Sequence, residues 1–270
     1  MSCNLPVGVF DSGVGGLTVV KEIMHQLPKE EIVYFGDTAR VPYGSKSKET
    51  VTAYSRQIIK FLQTKKVKAI VIACNTASAF ALETVAKEID VPIIGVVKPG
   101  AKTASETTRN GRIGIIGTEG TIRSGLYKEF LHEMDPALLV FGRACPLFVP
   151  LVEEGWIHDS VTKEVASRYL AELQEKDIDT LVLGCTHYPL LRDIIHEVAG
   201  DKVTLVNPAY ETAKTLYDLL SSKDLLAQEE AKPDHKFYVS DGAEKFCIFA
   251  NSILPCDIAQ TKDVNIITFD

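Results

Sequence analysis

The chain has 270 residues, of which 46% are hydrophobic and 24% charged, a composition typical of a soluble globular protein with room for two modest domains. The formal net charge is −7 without any block of Lys or Arg, which argues against a nucleic-acid partner because nucleic-acid binding normally needs a basic surface. No apolar run reaches the roughly 20 residues of a membrane helix, and the N-terminus lacks a signal-peptide pattern, so we expect a cytoplasmic protein without a membrane partner.

The six cysteines are scattered along the chain and form no C-x-x-C pair. This spacing favours neither a zinc site nor the disulfide framework of a secreted protein. We therefore expect no bound metal and, in a reducing compartment, free thiols at Cys3, Cys74, Cys145, Cys185, Cys247 and Cys256.

Short β-type runs alternate with helical patterns along the chain. The runs predict strands at 7–10, 31–36, 68–74, 91–97, 112–117, 137–142, 179–185, 202–206 and 236–240. Their continuous Val, Ile and Leu residues are typical of strands buried on both faces of a largely parallel sheet. Between them, apolar residues recur at helical spacing, as in 17–27, 51–62 and 161–173. This alternation predicts the α/β class.

The chain also repeats itself at a nearly constant offset. The segment VGVFDSG beginning at residue 7 is echoed by IGIIGTE at 113, YFGD at 34 by VFGR at 140, and VIACNTA at 71 by VLGCTHY at 182. The order of the echoes predicts two similar parallel-sheet domains. We expect residues 1–98 together with 207–270 to form the first domain, and residues 99–206 to form the second.

Cys74 and Cys185 occupy equivalent places in the two repeats, each at the end of a buried-type strand. Ligands of open α/β sheets bind at these strand ends, so two facing domains bring both thiols to one cleft. A single cysteine there is more often a small buried hydrophobic residue, but a matched pair followed by polar residues indicates chemistry.

Two facing thiols without a cofactor motif suit two kinds of reaction. Redox exchange favours thiols that are adjacent in sequence or able to touch, whereas proton transfer on both faces of one carbon needs a thiolate on one side and a thiol on the other. A free thiol has a pKa of about 8.5, so a modest downward shift makes thiolate available near neutrality, and a helix N-terminus can supply such a shift.

Six segments extend this pattern in order over nearly the whole chain: VFDSGVGGLTV, YFGDTARVPYG, VIACNTASAF, GTEGTIRSGLY, ACPLFVPLVEEG and LVLGCTHYPLL. Together they resemble the glutamate racemase family, whose members interconvert L- and D-glutamate without a cofactor. Related aspartate racemases generally lack the combination of PYG and CTHYP, which favours glutamate as the substrate. The stretch after Asp241 carries least of the resemblance.

The resemblance implies a two-base mechanism in which Cys74 acts on D-glutamate and Cys185 acts on L-glutamate. It also implies an active site in the cleft between two pseudo-symmetric domains, a homodimer, and a role in supplying D-glutamate for peptidoglycan. Substrate contacts are expected from the backbone or side chains of Asp11, Ser12, Pro42, Tyr43, Gly44, Asn75, Thr76, Thr186 and His187.

The glycine-rich loop in VFDSGVGGLTVV, residues 9–20, resembles a phosphate cradle at first sight. It lacks the Gly-Lys-Ser/Thr of a P-loop, and the carboxylate of Asp11 would repel a phosphate. Asp11 suits the ammonium group of an amino acid instead, and is placed to assist a nearby thiol. The alternative is a nucleotide-binding protein in which Asp11 acts through Mg²⁺, but this hypothesis leaves the cysteine pair unexplained.

Glutamate carries two carboxylates, and the loops concerned contain few lysines. Neutral donors and helix-start amides are therefore the expected anion contacts, with an ordinary N-cap as the alternative for each hydroxyl. The donors are Ser12, Tyr43, Asn75, Thr76, Thr118, Thr121 and Thr186.

Three further polar side chains are candidates for tuning the thiols. His187, two residues after Cys185, is placed to polarise that thiol, although a lone histidine is more often structural. Asp37 and Glu153 are candidates for tuning Cys74 and Cys185 respectively, with a solvated carboxylate as the alternative for Glu153. A third hypothesis, a purely non-catalytic interaction role, is disfavoured because the expected catalytic set is intact.

Overall fold

The computed structural model describes residues 2–228, 233–256, 258 and 260–269. The strands are β1 (Val7–Asp11), β2 (Ile32–Gly36), β3 (Ala69–Ile72), β4 (Ile93–Gly95), β5 (Arg112–Gly117), β6 (Leu139–Ala144), β7 (Thr180–Gly184), β8 (Thr204–Val206), β9 (Lys236–Val239) and β10 (Thr261–Asp263). The helices are α1 (Leu17–Gln26), α2 (Lys48–Thr64), α3 (Asn75–Val85), α4 (Val97–Thr107), α5 (Glu119–Ser124), α6 (Leu126–Met134), α7 (Phe148–Glu153), α8 (Ser160–Gln174), α9 (Arg192–Ala199), α10 (Pro208–Ser222) and α11 (Ala243–Ile253). Short 3-10 turns lie at Tyr188–Leu191 and Ile266–Phe269.

These strands form two parallel sheets. The first has the order β10-β9-β2-β1-β3-β4 and the second the order β6-β5-β7-β8. The order β2-β1-β3-β4 within the first sheet matches the whole second sheet, strand for strand along the chain. The predicted α/β class with two similar parallel-sheet domains is therefore confirmed.

All predicted strands are present, with ends displaced by a few residues. Strands β1, β2, β3 and β7 are buried along their whole length, as expected of continuous apolar runs. The edge strand β6 lies two residues later than predicted and is half-exposed, because one of its sides has no neighbouring strand. Strand β10 was not predicted from the sequence, since its residues Thr261–Asp263 are short, polar and partly exposed.

The chain passes between the two sheets twice, and a helix follows each passage. Helix α4 follows the last core strand of the first sheet and packs Ala101 and Ala104 into the core of the second. Helix α10 follows the last strand of the second sheet and packs Ala213 and Leu216 into the core of the first. Each half therefore includes a helix that directly follows a strand of the other half. The domain boundaries at residues 98 and 207 stay a prediction.

The carboxyl ends of the central strands in the two sheets face each other. The Thr186 hydroxyl, just after β7, donates to Asp11 Oδ1 at the end of β1, over 3.3 Å. The Gly120 amide of α5 donates to the Gly44 carbonyl over 2.7 Å. The polar residues that follow β1, β3 and β7 are consequently gathered at one interface. Among the described helices, none has the length and apolar character needed to cross a bilayer.

Candidate active site

Residues from both halves line one small cavity between the facing strand ends. Its volume of about 20 Å³ is roughly the space that one water molecule needs. Both thiols lie in its wall, together with hydroxyl, amide and apolar side chains. The lining residues are Ser12, Val41, Pro42, Tyr43, Gly44, Cys74, Asn75, Thr76, Thr118, Val149, Gly184, Cys185, Thr186 and His187.

Cys74 lies two residues beyond β3 and is the N-cap of α3. Its Sγ accepts the Ala77 amide over 3.5 Å and donates to Ser12 Oγ over 3.6 Å. Burial raises the pKa of the Cys74 thiol to about 12, and the Asp11 carboxylate acts in the same direction. The hydrogen bonds with Ala77 and Ser12 offset only part of this rise. At Cys74, desolvation therefore outweighs the lowering of the pKa that the helix N-terminus can supply.

Cys185 directly follows β7 and faces a histidine that is itself held by a carboxylate. His187 Nδ1 lies 3.9 Å from Cys185 Sγ, and His187 Nε2 lies 3.2 Å from Glu153 Oε1. Burial lowers the pKa of His187, but the bonds to Cys185 and Glu153 outweigh it and raise that pKa to about 10. A protonated His187 consequently places a positive charge beside Cys185 Sγ.

Asp11 lies behind the cavity wall at the end of β1 and is fully buried. Its Oδ2 accepts the Gly13 amide over 3.0 Å, and its Oδ1 accepts the Thr186 hydroxyl. Burial raises the pKa of Asp11, and the positive charge of His187 counteracts part of that rise. The Asp11 carboxylate therefore connects the first sheet to the turn that carries Cys185.

The glycines of the loop after β1 allow other protein groups to approach the backbone. A Cβ on Gly15 would lie 2.5 Å from His187 Nδ1, and a Cβ on Gly16 would lie 2.8 Å from the Tyr34 hydroxyl. That hydroxyl donates to the Gly13 carbonyl over 2.7 Å. The loop packs against side chains of both halves. Close packing therefore explains why Gly15 and Gly16 are glycines, without any phosphate ligand.

Three threonine hydroxyls join the two halves on the other side of the cavity. Thr76 Oγ1 lies 2.8 Å from Thr118 Oγ1 and 3.2 Å from Thr121 Oγ1, and the last two are 3.1 Å apart. Thr118 also caps α5, with its oxygen accepting the Thr121 amide. Thr76 and Thr118 line the cavity, whereas Thr121 lies behind them. Thr118 is thus both the N-cap of α5 and part of the cavity wall.

Residues 8–216 match the family model described as Asp/Glu/Hydantoin racemase. A glutamate racemase of Geobacter metallireducens is 49% identical to this chain over 260 residues, which cover 96% of each protein. The chain belongs to the Asp/Glu/hydantoin racemase family. The predicted resemblance and the predicted class of enzyme, an amino-acid racemase, are confirmed.

Solved structures of this racemase family share the whole architecture. A glutamate racemase isoform from Bacillus anthracis superposes with a TM-score of 0.93 at 42% identity, covering 96% of this chain and 97% of that one. A glutamate racemase from Francisella tularensis, crystallised in complex with D-glutamate, gives a TM-score of 0.92 at 38% identity, covering 98% and 99%. The two-sheet arrangement is therefore the one found in glutamate racemases.

Within this racemase fold, Asp37 contacts groups other than the thiols. The Tyr43 hydroxyl donates to Asp37 Oδ2, Arg40 Nε lies 2.7 Å from the same oxygen, and the Ser240 hydroxyl donates to Oδ1 over 2.8 Å. Asp37 thus anchors Tyr43, a lining residue, from below the cavity. The predicted tuning of Cys74 by Asp37 stays a prediction.

The predicted site residues form two groups, those that line the cavity and those that contact the lining residues from behind. Those that line the cavity directly are Ser12, Pro42, Tyr43, Gly44, Cys74, Asn75, Thr76, Thr118, Cys185, Thr186 and His187, while Asp11, Asp37, Thr121 and Glu153 contact them from behind. Val41, Val149 and Gly184 also line the cavity and were missed, because an apolar side chain or a glycine gives no chemical signal. In the described residues, no group of His, Cys, Asp and Glu is arranged to hold a metal ion.

The ionisation of His187 predicts a pH dependence of stability in this racemase. The folded protein raises the pKa of His187 from 6.5 to about 10. This contribution to the free energy of unfolding is therefore complete below pH 6.5 and is lost as the pH rises through about 10. We expect the midpoint of thermal unfolding to fall over this range in the wild type, and to fall much less below pH 9 in His187→Asn, as measured by differential scanning calorimetry.

Above pH 9.0 the raised pKa of Cys74 acts in the same direction, so both proteins are expected to lose stability there. His196→Asn is the matched control, since His196 is a half-exposed histidine on α9, the helix that follows Cys185 and His187 in the same half. It should retain the wild-type curve. An equal fall below pH 9 in wild type and His187→Asn would show that His187 is not held as an imidazolium.

Proposed function

We propose that the chain interconverts L- and D-glutamate without a cofactor, with Cys74 and Cys185 as the two acid–base groups. The observation that supports this proposal is the presence of both thiols, from corresponding strand ends of two similar sheets, in the wall of one small cavity. Two proton-transfer groups on opposite sides of one carbon are what inversion of that carbon requires. The complex of the Francisella tularensis relative with D-glutamate supports glutamate as the ligand.

The two thiols differ in their surroundings, and this difference suggests how the reaction begins. In the free protein Cys74 is held as a neutral thiol, because burial and Asp11 raise its pKa. Cys185 has the protonated His187 beside its sulfur, whereas Cys74 has no positively charged group as a hydrogen-bond partner among the described residues. The Cys185 thiolate removes the α-proton of L-glutamate, and the Cys74 thiol delivers a proton to the opposite face.

The reverse reaction needs the opposite protonation of the two sulfurs. A Cys74 thiolate then removes the α-proton of D-glutamate, and a Cys185 thiol protonates the other face. The two forms of the free protein interconvert by exchanging protons with solvent. We expect Asp11 to assist this exchange, because its buried carboxylate is bonded to the Thr186 hydroxyl next to Cys185 and burial raises its pKa.

The α-proton of an amino acid is weakly acidic, so negative charge that develops on the substrate has to be stabilised. We assign this task to neutral donors in the cavity wall, which are Ser12, Thr76, Thr118 and Thr186. Such groups, fixed in a site that excludes water, stabilise developing charge more strongly than the same groups in water. Each 1.36 kcal/mol of this stabilisation raises the rate about tenfold.

The cavity is too small for a substrate with ten non-hydrogen atoms. At about 20 Å³ it leaves roughly the space of one water, so the two halves have to separate for glutamate to enter and leave. The passages before α4 and α10 are the segments about which such a motion would occur. We assign residues 1–98 with 207–270 to one moving body and residues 99–206 to the other.

Family membership also supports a cellular role. We propose that the chain works in the cytoplasm as a homodimer, and that its D-glutamate is used for peptidoglycan synthesis. These three statements rest on the resemblance to glutamate racemases.

The proposed activity is tested by incubating the purified protein with each glutamate enantiomer in D₂O without added cofactor. We expect the optical rotation of either enantiomer to decay to zero and deuterium to appear at Cα of the product. Turnover of aspartate but not glutamate would keep the chemistry and change the substrate. An absence of α-proton exchange, combined with Mg²⁺-dependent ATP binding, would overturn the proposal in favour of the nucleotide alternative.

A further inference from the structure

Tyr127 is a buried tyrosine that contacts the neighbours of both thiols without lining the cavity. It is the second residue of α6, in the core that faces the second sheet, and only 3% of it is exposed. Its hydroxyl contacts Asn75, which follows the first sheet's β3, while its ring packs in the core against the second sheet. The proposed proton transfers do not involve this side chain.

The hydroxyl of Tyr127 fixes the side chain that follows Cys74. It donates to Asn75 Oδ1 over 2.7 Å, at the first turn of α3. A carboxamide whose oxygen is held in this way has its NH₂ group directed away from the tyrosine. Asn75 lines the cavity, and its Nδ2 has no hydrogen-bond partner among the described residues. The amide is thereby presented as a donor for a carboxylate.

The ring of Tyr127 packs against the residue that precedes Cys185. A Cβ on Gly184 would lie 3.4 Å from Tyr127 Cε2, so the glycine backbone rests against the ring edge. The hydroxyl also packs on α4, where a Cβ on Gly100 would lie 3.1 Å from it. Asn75, Gly184 and Gly100 therefore confine the Tyr127 side chain. This fixes the position of the Asn75 amide relative to the ends of β3 and β7.

We propose that Tyr127 is a positioning residue for substrate binding, which locks the amide of Asn75 so that its NH₂ group faces a substrate carboxylate. This proposal rests on the proposed function. It identifies a hydrogen bond between the two halves whose loss leaves the thiols, His187 and the ring packing in place. Burial and the nearby Cys185 raise the pKa of Tyr127, so the hydroxyl keeps its proton over the working pH range.

The test compares Tyr127→Phe with the wild type, since phenylalanine keeps the ring on Gly184 and removes only the hydroxyl. Without that bond the Asn75 amide rotates freely and presents its donor for part of the time. A contact to a charged group that is made equally in the ground and transition states affects binding alone. We expect KM for both enantiomers to rise about tenfold, with kcat changed less than about twofold, and the Kd of D-glutamate from calorimetry to rise with KM.

A double-mutant cycle separates positioning from a general loss of packing. We expect Tyr127→Phe to add almost nothing in the Asn75→Ala background, because the group on which it acts is already absent. Tyr169→Phe is the control. Tyr169 belongs to the same half, its hydroxyl accepts the Leu147 amide over 3.3 Å, and its loss should lower stability without raising KM.

Two outcomes overturn the proposal while leaving the proposed function intact. One is a Tyr127→Phe protein with wild-type KM and Kd. The other is an effect that adds in full to that of Asn75→Ala, which would assign Tyr127 to packing. A wild-type protein that neither binds nor racemises glutamate would overturn both proposals together.

Discussion

Replacing Cys185 by alanine is expected to lower racemisation by about 10² to 10⁴-fold, the usual contribution of a positioned acid–base group, while leaving slow α-proton exchange of D-glutamate. In this variant Cys74 is retained and still faces the α-proton of the D-enantiomer. The proton that it removes exchanges with solvent and is returned to the same face. Cys74→Ala should show the mirror result, in which only L-glutamate exchanges. Chiral chromatography and the loss of the Cα–H signal in D₂O measure the two quantities.

Exchange is the informative measurement because the two enantiomers have equal free energies. The values of kcat/KM in the two directions must then be equal in every active variant, so their ratio reveals nothing about which thiol serves which face. Exchange without inversion has no such constraint. It reports directly on the single proton transfer that each remaining thiol performs.

Cys145→Ala is the matched control for these variants. Cys145 is as buried as the other two and follows β6, but its thiol donates to the Arg143 carbonyl over 3.6 Å and lies outside the cavity wall. Its loss should leave racemisation at the wild-type level. Exchange of both enantiomers by both single cysteine variants would contradict the assignment of one thiol to each face.

The sequence allowed the fold and the thiol pair to be predicted because their signals are local. Runs such as residues 69–72 and 181–183 are apolar throughout, and the cysteines stand two residues beyond them in matching contexts. Periodicity and strand-end position are properties of a few consecutive residues, which a single sequence displays. Thr118 is also visible in the local sequence, because a threonine just after a strand and before a helix is both a typical N-cap and a typical ligand contact.

The electrostatics of the site depend on contacts between distant parts of the chain. The raised pKa of Cys74 comes from burial and from Asp11, which is 63 positions earlier and belongs to the neighbouring strand. The Tyr127–Asn75 bond joins residues 52 positions apart in opposite halves. Neither effect leaves a pattern in consecutive residues, so local sequence signals indicate the thiols but not their ionisation.

The glycine loop after β1 gives the second large prediction, which concerns how closely the two halves approach. Gly15→Ala is expected to lower kcat/KM by about 10²-fold, because a misplacement of about 1 Å in reacting groups has an effect of that size. The added Cβ would lie 2.5 Å from His187 Nδ1, in contact with the turn that carries Cys185. His187 is buried and bonded on both sides, so the two halves have to move apart instead. Steady-state racemisation assays measure the loss.

Gly13→Ala is the matched control from the same loop. Its added Cβ would lie 3.4 Å from Val41 Cγ2, an ordinary van der Waals distance, and its amide bond to Asp11 is retained. We expect nearly wild-type kcat/KM for Gly13→Ala and a lower unfolding midpoint for Gly15→Ala than for Gly13→Ala, because only the added Cβ of Gly15→Ala overlaps buried atoms. Equal losses in both would indicate that the loop contributes through backbone flexibility. A selective loss in Gly15→Ala would instead show that the glycine is needed because the catalytic turn of the other half packs directly against it.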